Sequence, residues 1–426
     1  MRKILITGFV LLSFILKAQD TLVVLQYNLL NYGNYTSYCT NNNNNVSKKD
    51  GYIKTIINYI KPDIFSVNEM VAQEAMMEHL RGKLNETWTS NYKRPPFVSI
   101  NSDYLANTIY YNSKKLTFYK QYIAQTFIRD VNIYKFYHNS PNLEYGDTVF
   151  IYCAVAHLKA GSDVSNSNER KVMATNTMNY IANHNPVNNY LLMGDFNLYS
   201  DSEPAWHIFT MNNNQDINFN DPVNQSGHWN NNYNYRYYHT QSTHKNGNDC
   251  ASGGGMDDRF DFILISNSIK SGTKKVEYIE DSYWAVGQDG KHFNKSINDS
   301  PTNTSVPSNV LSALYKNSDH LPVMLKLYIN QPVGIPENSS IATLQNITLV
   351  NPVKAKLKLR FFSNKNGKIQ IRLINLTGKT LFLSSITVSK GVNRFSRDVS
   401  FLKKGFYLVC IKDDNGMIIT KKLIKD

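Results

Sequence analysis

Apolar residues in this chain come in short runs that end on a polar side chain, and two spacings alternate along it. Residues 22–27 form a β-rich run ending at Asn28, and Ile64-Phe65-Ser66-Val67 is a shorter one leading to Glu69. Between them Ile53, Ile56, Ile57 and Ile60 recur at helical spacing. Ser47-Lys48-Lys49-Asp50 precedes them in the form of a capping box, and Pro62-Asp63 stops the helix. A polar-faced helix is predicted over about 71–84, with strands over 107–111, 116–125 and 148–156. Residues 163–184 read as one long helix with Val172, Met178 and Ile181 on its apolar side. Further strands follow at 190–193, 260–265 and 276–279, and a closing one begins at Leu321. Strands interleaved with helices in this way predict an α/β core whose sheets are covered on both faces.

Beyond residue 330 the pattern changes. Residues 331–340 have linker chemistry, with Pro332, Gly334 and Pro336 followed by small polar residues. After them come short alternating runs such as Lys356-Leu357-Lys358-Leu359-Arg360-Phe361 and Lys368-Ile369-Gln370-Ile371-Arg372-Leu373. Turn signals at Asn366-Gly367, Thr377-Gly378 and Asn415-Gly416 separate the runs, which predicts a small antiparallel β-sandwich. At the other end a basic Met1-Arg2-Lys3 precedes an uncharged, mostly apolar run over 4–16 and then Lys17-Ala18-Gln19. That run is too short to span a bilayer and has the form of a secretory signal peptide. The expected division is therefore a signal peptide at 1–19, an α/β domain at 20–330, a linker at 331–345 and a β-sandwich at 346–426. The mature protein would start near Asp20 and be exported without a transmembrane segment.

The formal charge of +13 invites a nucleic-acid reading, but its distribution withdraws most of that support. Residues 337–426 hold 17 Lys and Arg against 5 acids, or +12. Residues 20–336 hold 26 against 28, or −2, so the basic balance belongs to the tail. Of the four cysteines, Cys153 and Cys410 lie within apolar runs and read as buried strand thiols. Cys39 and Cys250 lie in polar loops and are the one pair a disulfide could join. Two stretches are low in complexity, 41–45 and 211–248. Within the second, the Asn- and Tyr-rich run 231–239 has the composition of a stacking platform, although an insertion loop in an Asn- and Tyr-rich chain accounts for it more simply.

The chemistry is concentrated at the ends of the apolar runs. Tyr190-Leu191-Leu192-Met193-Gly194-Asp195-Phe196-Asn197 ends in a carboxylate and a carboxamide two residues apart, which on a strand point the same way. Ser318-Asp319-His320 opens the closing strand. Asn28, Glu69, His157, Asp195, Asn197, Asp261, Asp319 and His320 together supply acidic metal ligands, amide donors and imidazoles, the set that phosphate-ester hydrolysis needs. Each alone reads as a turn cap or a satisfied half-buried group. As an ordered set at strand ends they are expected at one edge of the sheets, where loops build a site.

Six motifs in order resemble the endonuclease/exonuclease/phosphatase superfamily, the DNase I-like fold, over about residues 21–328. They are Tyr27-Asn28-Leu29-Leu30-Asn31, Asp63 through Glu69, Ala156-His157-Leu158, Gly194-Asp195-Phe196-Asn197, Asp258-Arg259-Phe260-Asp261-Phe262-Ile263 and Ser318-Asp319-His320. The resemblance implies a four-layer αββα sandwich. It also implies that Glu69, with Asn28 and Asp319, holds a Mg²⁺-like ion, Mn²⁺ or Ca²⁺ being the alternatives, for which hard oxygen ligands are suited. Asp261 would orient His320 as general base toward the attacking water, and Asp195 would position that water. Asn197 would donate to phosphorane oxygens, and His157 would bind the phosphate or assist the leaving oxygen. No Cys/His spacing suited to zinc is present. The tail resembles the C-terminal sorting domain of the type IX secretion system of Bacteroidetes. Asn351-Pro352, Asn375-Leu376-Thr377-Gly378-Lys379, Lys404-Gly405-Phe406-Tyr407 and Lys421-Lys422-Leu423-Ile424-Lys425 carry that likeness and imply export across the outer membrane. A sugar- or surface-binding β-module is the alternative for the tail.

The expected function is a secreted metal-dependent phosphodiesterase, foremost an endonuclease acting on extracellular DNA or RNA. A phospholipid phosphodiesterase of sphingomyelinase type is the second reading, and a silent adhesin on the same scaffold the third. No long apolar hairpin suggests membrane insertion. Lys159, Arg170, Lys171 and Arg259 are the cations placed near the motifs for phosphate contact.

Overall fold

The computed structural model describes residues 19–101, 104–140, 143, 148–330, 344–375, 378–413 and 418–426. All but Gln19 of the expected signal peptide, most of the linker and the Asn415-Gly416 turn lie outside the described residues, as does Thr377. The chain divides after Val333 into a larger unit and a tail unit.

The larger unit is built on two sheets. The first runs β11 (Val276–Tyr278), β13 (Val323–Asn330), β1 (Gln19–Tyr32), β2 (Ile64–Val71), β4 (Leu105–Asn112) and β3 (Tyr92–Lys93), with β12 (Trp284–Ala285) also paired to β13. The second runs β5 (Leu116–Gln125), β6 (Val131–His138), β7 (Phe150–His157), β8 (Tyr190–Asp195), β10 (Asp261–Ser266) and β9 (Phe219–Asn220). Three apolar layers order the stack. Leu22, Val24 and Ile64 from the first sheet meet Cys153, Val155, Leu191 and Met193 from the second, all fully buried. On the outer face of the first sheet, Leu25, Phe65 and Val67 pack on Ile53, Ile57, Leu80 and Leu314 of helices α1 (Val46–Ile60) and α2 (Glu74–Leu84) and of the helix Ser308–Asn317. On the outer face of the second, Ala154, Leu192 and Phe262 pack on Met173, Met178 and Trp206 of α3 (Val164–Asn183) and α4 (Pro204–Thr210). The result is the expected four-layer αββα sandwich. Sheets covered on both faces need continuous apolar runs, and β8 is buried throughout.

The tail unit pairs β14 (Leu344–Leu349), β15 (Lys356–Ser363) and β18 (Gly391–Asp398) in one sheet. A second sheet runs β17 (Thr380–Val388), β16 (Gly367–Asn375), β19 (Gly405–Lys412) and β20 (Ile418–Lys425). Leu357, Leu359, Ile369, Ile371, Leu373 and Val409 fill one shared core, so this unit is the expected all-β sandwich.

Several local readings change. Asn45, not Ser47, caps α1, its Oδ1 accepting from Lys48 N–H at 2.9 Å. Asp50 is drawn inward instead, accepting from Tyr32 Oη at 2.5 Å and lying 2.8 Å from His79 Nε2. Val172 is exposed, because α3 buries Arg170, Met173, Ala174, Thr177, Met178 and Ile181. The Asn run 41–45 is structural: Asn43 donates to Tyr38 O at 2.8 Å, and Asn44 donates to Asn31 O at 2.8 Å. Cys39 and Cys250 form the disulfide. In the run 231–239, Arg236 lies over the rings of Tyr233 and Tyr237 at 4.1 and 4.6 Å, so the aromatics stack within the insertion itself.

Candidate active site

Strand register brings the second sheet's site residues together. His157 on β7 pairs with Asp195 on β8, and Asp195 pairs with Asp261 on β10, so one polar residue from each of three adjacent strands lies in a row. Gly194 makes this approach possible. Its φ is +150°, and a Cβ there would lie 1.7 Å from Ala156 O. In the first sheet β1 and β2 run parallel with Asn28 opposite Asn68. The register then slips, and Glu69 takes a φ of 55° inside its strand. A bulge of this kind re-aims a side chain at the sheet edge. Asn68 joins the two sheets, accepting from Asp195 N–H at 2.9 Å and donating to Ala156 O at 3.2 Å.

Six of the eight expected residues line one pocket of about 330 Å³: Glu69, His157, Asp195, Asn197, Asp319 and His320. Asn28 and Asp261 stand behind them, both fully buried. Asn28 Nδ2 donates to Glu69 Oε1 at 3.0 Å and to Asp195 Oδ2 at 2.9 Å, while its Oδ1 accepts from Leu30 N–H at 2.9 Å. Asn31 N–H donates to Glu69 Oε2 at 3.1 Å. Asp195 Oδ1 accepts from Asn197 N–H at 3.0 Å. His320 Nδ1 lies 2.7 Å from Asp261 Oδ2, and its Nε2 lies 3.7 Å from Asp195 Oδ2.

The two imidazoles occupy opposite electrostatic settings. Burial holds His157 well below the usual histidine range, and the charges of Arg129 and His320 add to that. Burial acts the same way on His320, but the charges of Asp261 and Asp195 and the Asp261 hydrogen bond outweigh it and hold the ring well above that range. Burial raises the Asp195 carboxyl; His320 opposes the rise, and Asp261 and Glu69 reinforce it. Burial therefore disfavours charge on both rings, and only His320 has the carboxylate partners to offset it, in one desolvated pocket crowded with carboxylates.

Glu69, His157 and Asp195 can each offer a ligand atom within 4.8 Å of the others. This grouping differs from the expected Asn28–Glu69–Asp319 set. Asn28 faces the two carboxylates through its NH₂ group, and Asp319 lines the same pocket with its Oδ1 buried and without a hydrogen-bond partner. Two carboxylates, a neutral imidazole and a further buried carboxylate oxygen suit a divalent cation, which would offset the crowded negative charge.

Two pocket residues carry no signal in the sequence. Gln241, from the Asn- and Tyr-rich insertion, places Nε2 at 2.7 Å from His320 Nε2 and donates to Asp319 Oδ2 at 3.3 Å. A carboxamide carries both donor and acceptor, so it can answer either protonation state of that ring nitrogen. Arg129 lines the pocket and donates through Nη1 to Leu158 O at 2.9 Å. Of the cations expected near phosphate, Arg170 and Arg259 are buried. Arg170 pairs with Glu203 at 2.7 Å, and Arg259 spans both oxygens of Asp221 at 2.8 and 2.9 Å. Both serve the fold. Lys159 and Lys171 line no part of the pocket, and Lys171 is exposed.

Comparison with known proteins identifies the tail. The family model described as a secretion system C-terminal sorting domain matches residues 351–426. The tail is such a sorting domain. No curated protein matches the chain in sequence. Among solved structures, D. rerio TDP2 complexed with a single-strand DNA product is 14% identical, with a TM-score of 0.46, and the match covers 72% of this chain and 99% of that one. The endonuclease/exonuclease/phosphatase from Beutenbergia cavernae is 11% identical over 94% of this chain and 99% of its own, with a TM-score of 0.42. The human Nocturnin catalytic domain with bound sulfate is 14% identical over 72% and 97%, at 0.42. Among the described residues no helix is long and apolar enough to cross a membrane.

Proposed function

We propose that the larger unit is a metal-dependent phosphodiesterase that cleaves nucleic acid outside the cell, and that the sorting domain directs its export. The observation that carries this reading is the His320–Asp261 pair, 2.7 Å apart, in the same buried pocket as the Glu69–His157–Asp195 group. Asp261 fixes the ring of His320 through Nδ1 and stabilises the proton that His320 takes from the attacking water at Nε2. Asp195, held by Asn28 and the Asn197 N–H, orients that water. Asn197 donates to phosphate oxygens, and Arg129 adds the pocket's guanidinium. Glu69, His157 and Asp195, with Asp319, would hold a divalent cation, Mg²⁺ being favoured by the oxygen-rich donor set. Such an ion neutralises phosphate charge when bound.

The test is incubation of the full chain with plasmid DNA and Mg²⁺, beside EDTA and His320→Ala controls. Nicking that both controls abolish supports the reading. Absence of plasmid nicking and of cleavage of single-stranded DNA and RNA, with Mg²⁺, Mn²⁺ and Ca²⁺, refutes the nuclease assignment and moves the substrate to phospholipid head groups or small diesters.

A further inference from the structure

A second groove, of about 410 Å³, adjoins the pocket and shares Asn31 and Arg129 with it. Its distinctive lining is aromatic: Tyr35, Tyr38 and Tyr104 are 49%, 51% and 82% exposed. Large rings this open on an enzyme surface forgo burial, and three in one groove call for an occupant. The groove is also braced. Tyr38 precedes Cys39, whose disulfide partner Cys250 lines the catalytic pocket. Tyr38 O accepts from Asn43 Nδ2 at 2.8 Å, Tyr35 Oη donates to Asn41 Oδ1 at 3.2 Å, and Tyr104 O accepts from Ala72 N–H at 3.1 Å. Tyr35 and Tyr38 are thus presented on a loop tied covalently to the pocket wall, Tyr104 faces the same groove from just before β4, and a guanidinium stands at the junction.

Resting on the nuclease reading above, we infer that this groove is a base-stacking subsite for the nucleotides flanking the scissile phosphate of a single strand. The chemistry matches: every base has a π-face that a tyrosine ring can stack on, so such a platform tolerates sequence while anchoring the strand. Its volume is that of a small-ligand pocket, enough for one nucleotide unit. Arg129 lines both cavities and so meets a backbone phosphate passing from one to the other. Residues 20–336 carry a net charge of −2, so stacking would supply binding that net charge does not. Stacking in place of many phosphate contacts predicts binding that weakens little with salt.

The test compares the full chain with the triple variant Tyr35→Ala, Tyr38→Ala, Tyr104→Ala and its Tyr→Phe counterpart. Substrates are a short fluorescein-labelled single-stranded oligonucleotide, the same strand with abasic sites beside the cleaved bond, methyl p-nitrophenyl phosphate, and sphingomyelin vesicles. The Ala variant should raise KM for the oligonucleotide by roughly 5- to 150-fold per base unstacked, leave methyl p-nitrophenyl phosphate hydrolysis unchanged, and be restored by phenylalanine. Abasic sites should weaken the unmodified protein equally and add no further loss in the Ala variant. An oligonucleotide KM indifferent to the Ala substitutions overturns the subsite while leaving the nuclease reading intact. Oligonucleotides left uncleaved, with rings that matter only on vesicles, overturn both in favour of a lipid surface.

Discussion

The larger unit and the tail are both made of paired sheets, yet they treat their polar residues in opposite ways. In the larger unit β8 and β10 are buried along their whole length, and so is β7 apart from its first residue. In the tail β15 and β16 largely alternate buried with exposed positions, and Lys356, Lys358, Arg360, Lys368 and Arg372 occupy exposed ones. A sheet covered on both faces carries the polar residues at its strand ends into a place water hardly reaches. There, charge is expensive and neighbours decide protonation. A sheet with one wet face leaves its cations solvated, and they cannot be driven apart in this way. The contrast explains why nearly all the net charge sits in the tail while the candidate chemistry sits in the near-neutral unit.

The largest effect that could break this comparison lies at the desolvated pair. His320→Ala should cost about 10²- to 10⁴-fold in kcat/KM on a phosphodiester. Removing two tail cations, Lys358→Ala with Arg360→Ala, should change the same rate by less than the error of the assay. Asp261→Asn should lower the rate in the same direction as His320→Ala, because the amide keeps the shape but withdraws the charge that holds the imidazolium. If the tail variant slowed catalysis as much as His320→Ala, the two units would not divide the labour in this way.

Much of this was legible because a strand's period of two leaves its last side chain aimed at the sheet edge. Asp195, Asp261 and His157 come from the ends of long apolar runs, and strand register alone brings them into a row. What the periods could not announce came from loops and exceptions. Gln241 reaches His320 from an insertion with no periodic signal, and Arg129 lies in the loop between β5 and β6, next to Ile128 with its φ of 66°. The helix cap was misread because Asn45 stood inside a run that looked compositional, although Asn caps as well as Ser. Of the three residues expected on the apolar side of α3, Met178 and Ile181 are buried and only Val172 is not, because a buried arginine, Arg170, occupies a core position and disguises the helical spacing. Two of the four cations near the motifs proved structural, since an arginine that finds a buried carboxylate is worth more to the fold there than at a wet pocket rim.

The next effect sharpens the comparison by stability. The disulfide joins residues 211 apart in the larger unit, and no cysteine of the tail takes part in it. Closing so long a loop restricts the unfolded chain strongly, so Cys39→Ser with Cys250→Ser should destabilise the larger unit by about 2–5 kcal/mol. Denaturant titration followed by two probes, Trp fluorescence for the larger unit and proteolysis of the tail, should show only the first midpoint moving. All four tryptophans of the chain precede residue 285, which makes that probe specific. The reciprocal change is smaller. Ile371 is fully buried in the tail core, and Ile371→Val should cost about 0.5–1.5 kcal/mol there without altering hydrolysis. A rate change from that single methyl would tie the two units together energetically.

The smallest effect is a matter of sign. Asp20 opens the larger unit, 2.9 Å from His138 Nε2 and 3.2 Å from Lys115 Nζ. Partial burial opposes its ionisation, yet the His138 hydrogen bond and the Lys115 charge prevail and bring its carboxyl down to about 2 from an ordinary 3.8. A carboxyl whose folded value is depressed binds its proton less readily than in the unfolded chain. Its contribution is therefore present above the unfolded value and disappears as pH falls through the folded one. Because the side chain is 40% exposed, solvent screening keeps that contribution below about 1 kcal/mol. Asp20→Asn should accordingly lower the unfolding midpoint of the larger unit slightly at neutral pH, and the gap should close between about pH 4 and 2. A gap that widened on acidification would mean that the pair opposes folding, and that even at this strand's exposed end desolvation outweighs the partners.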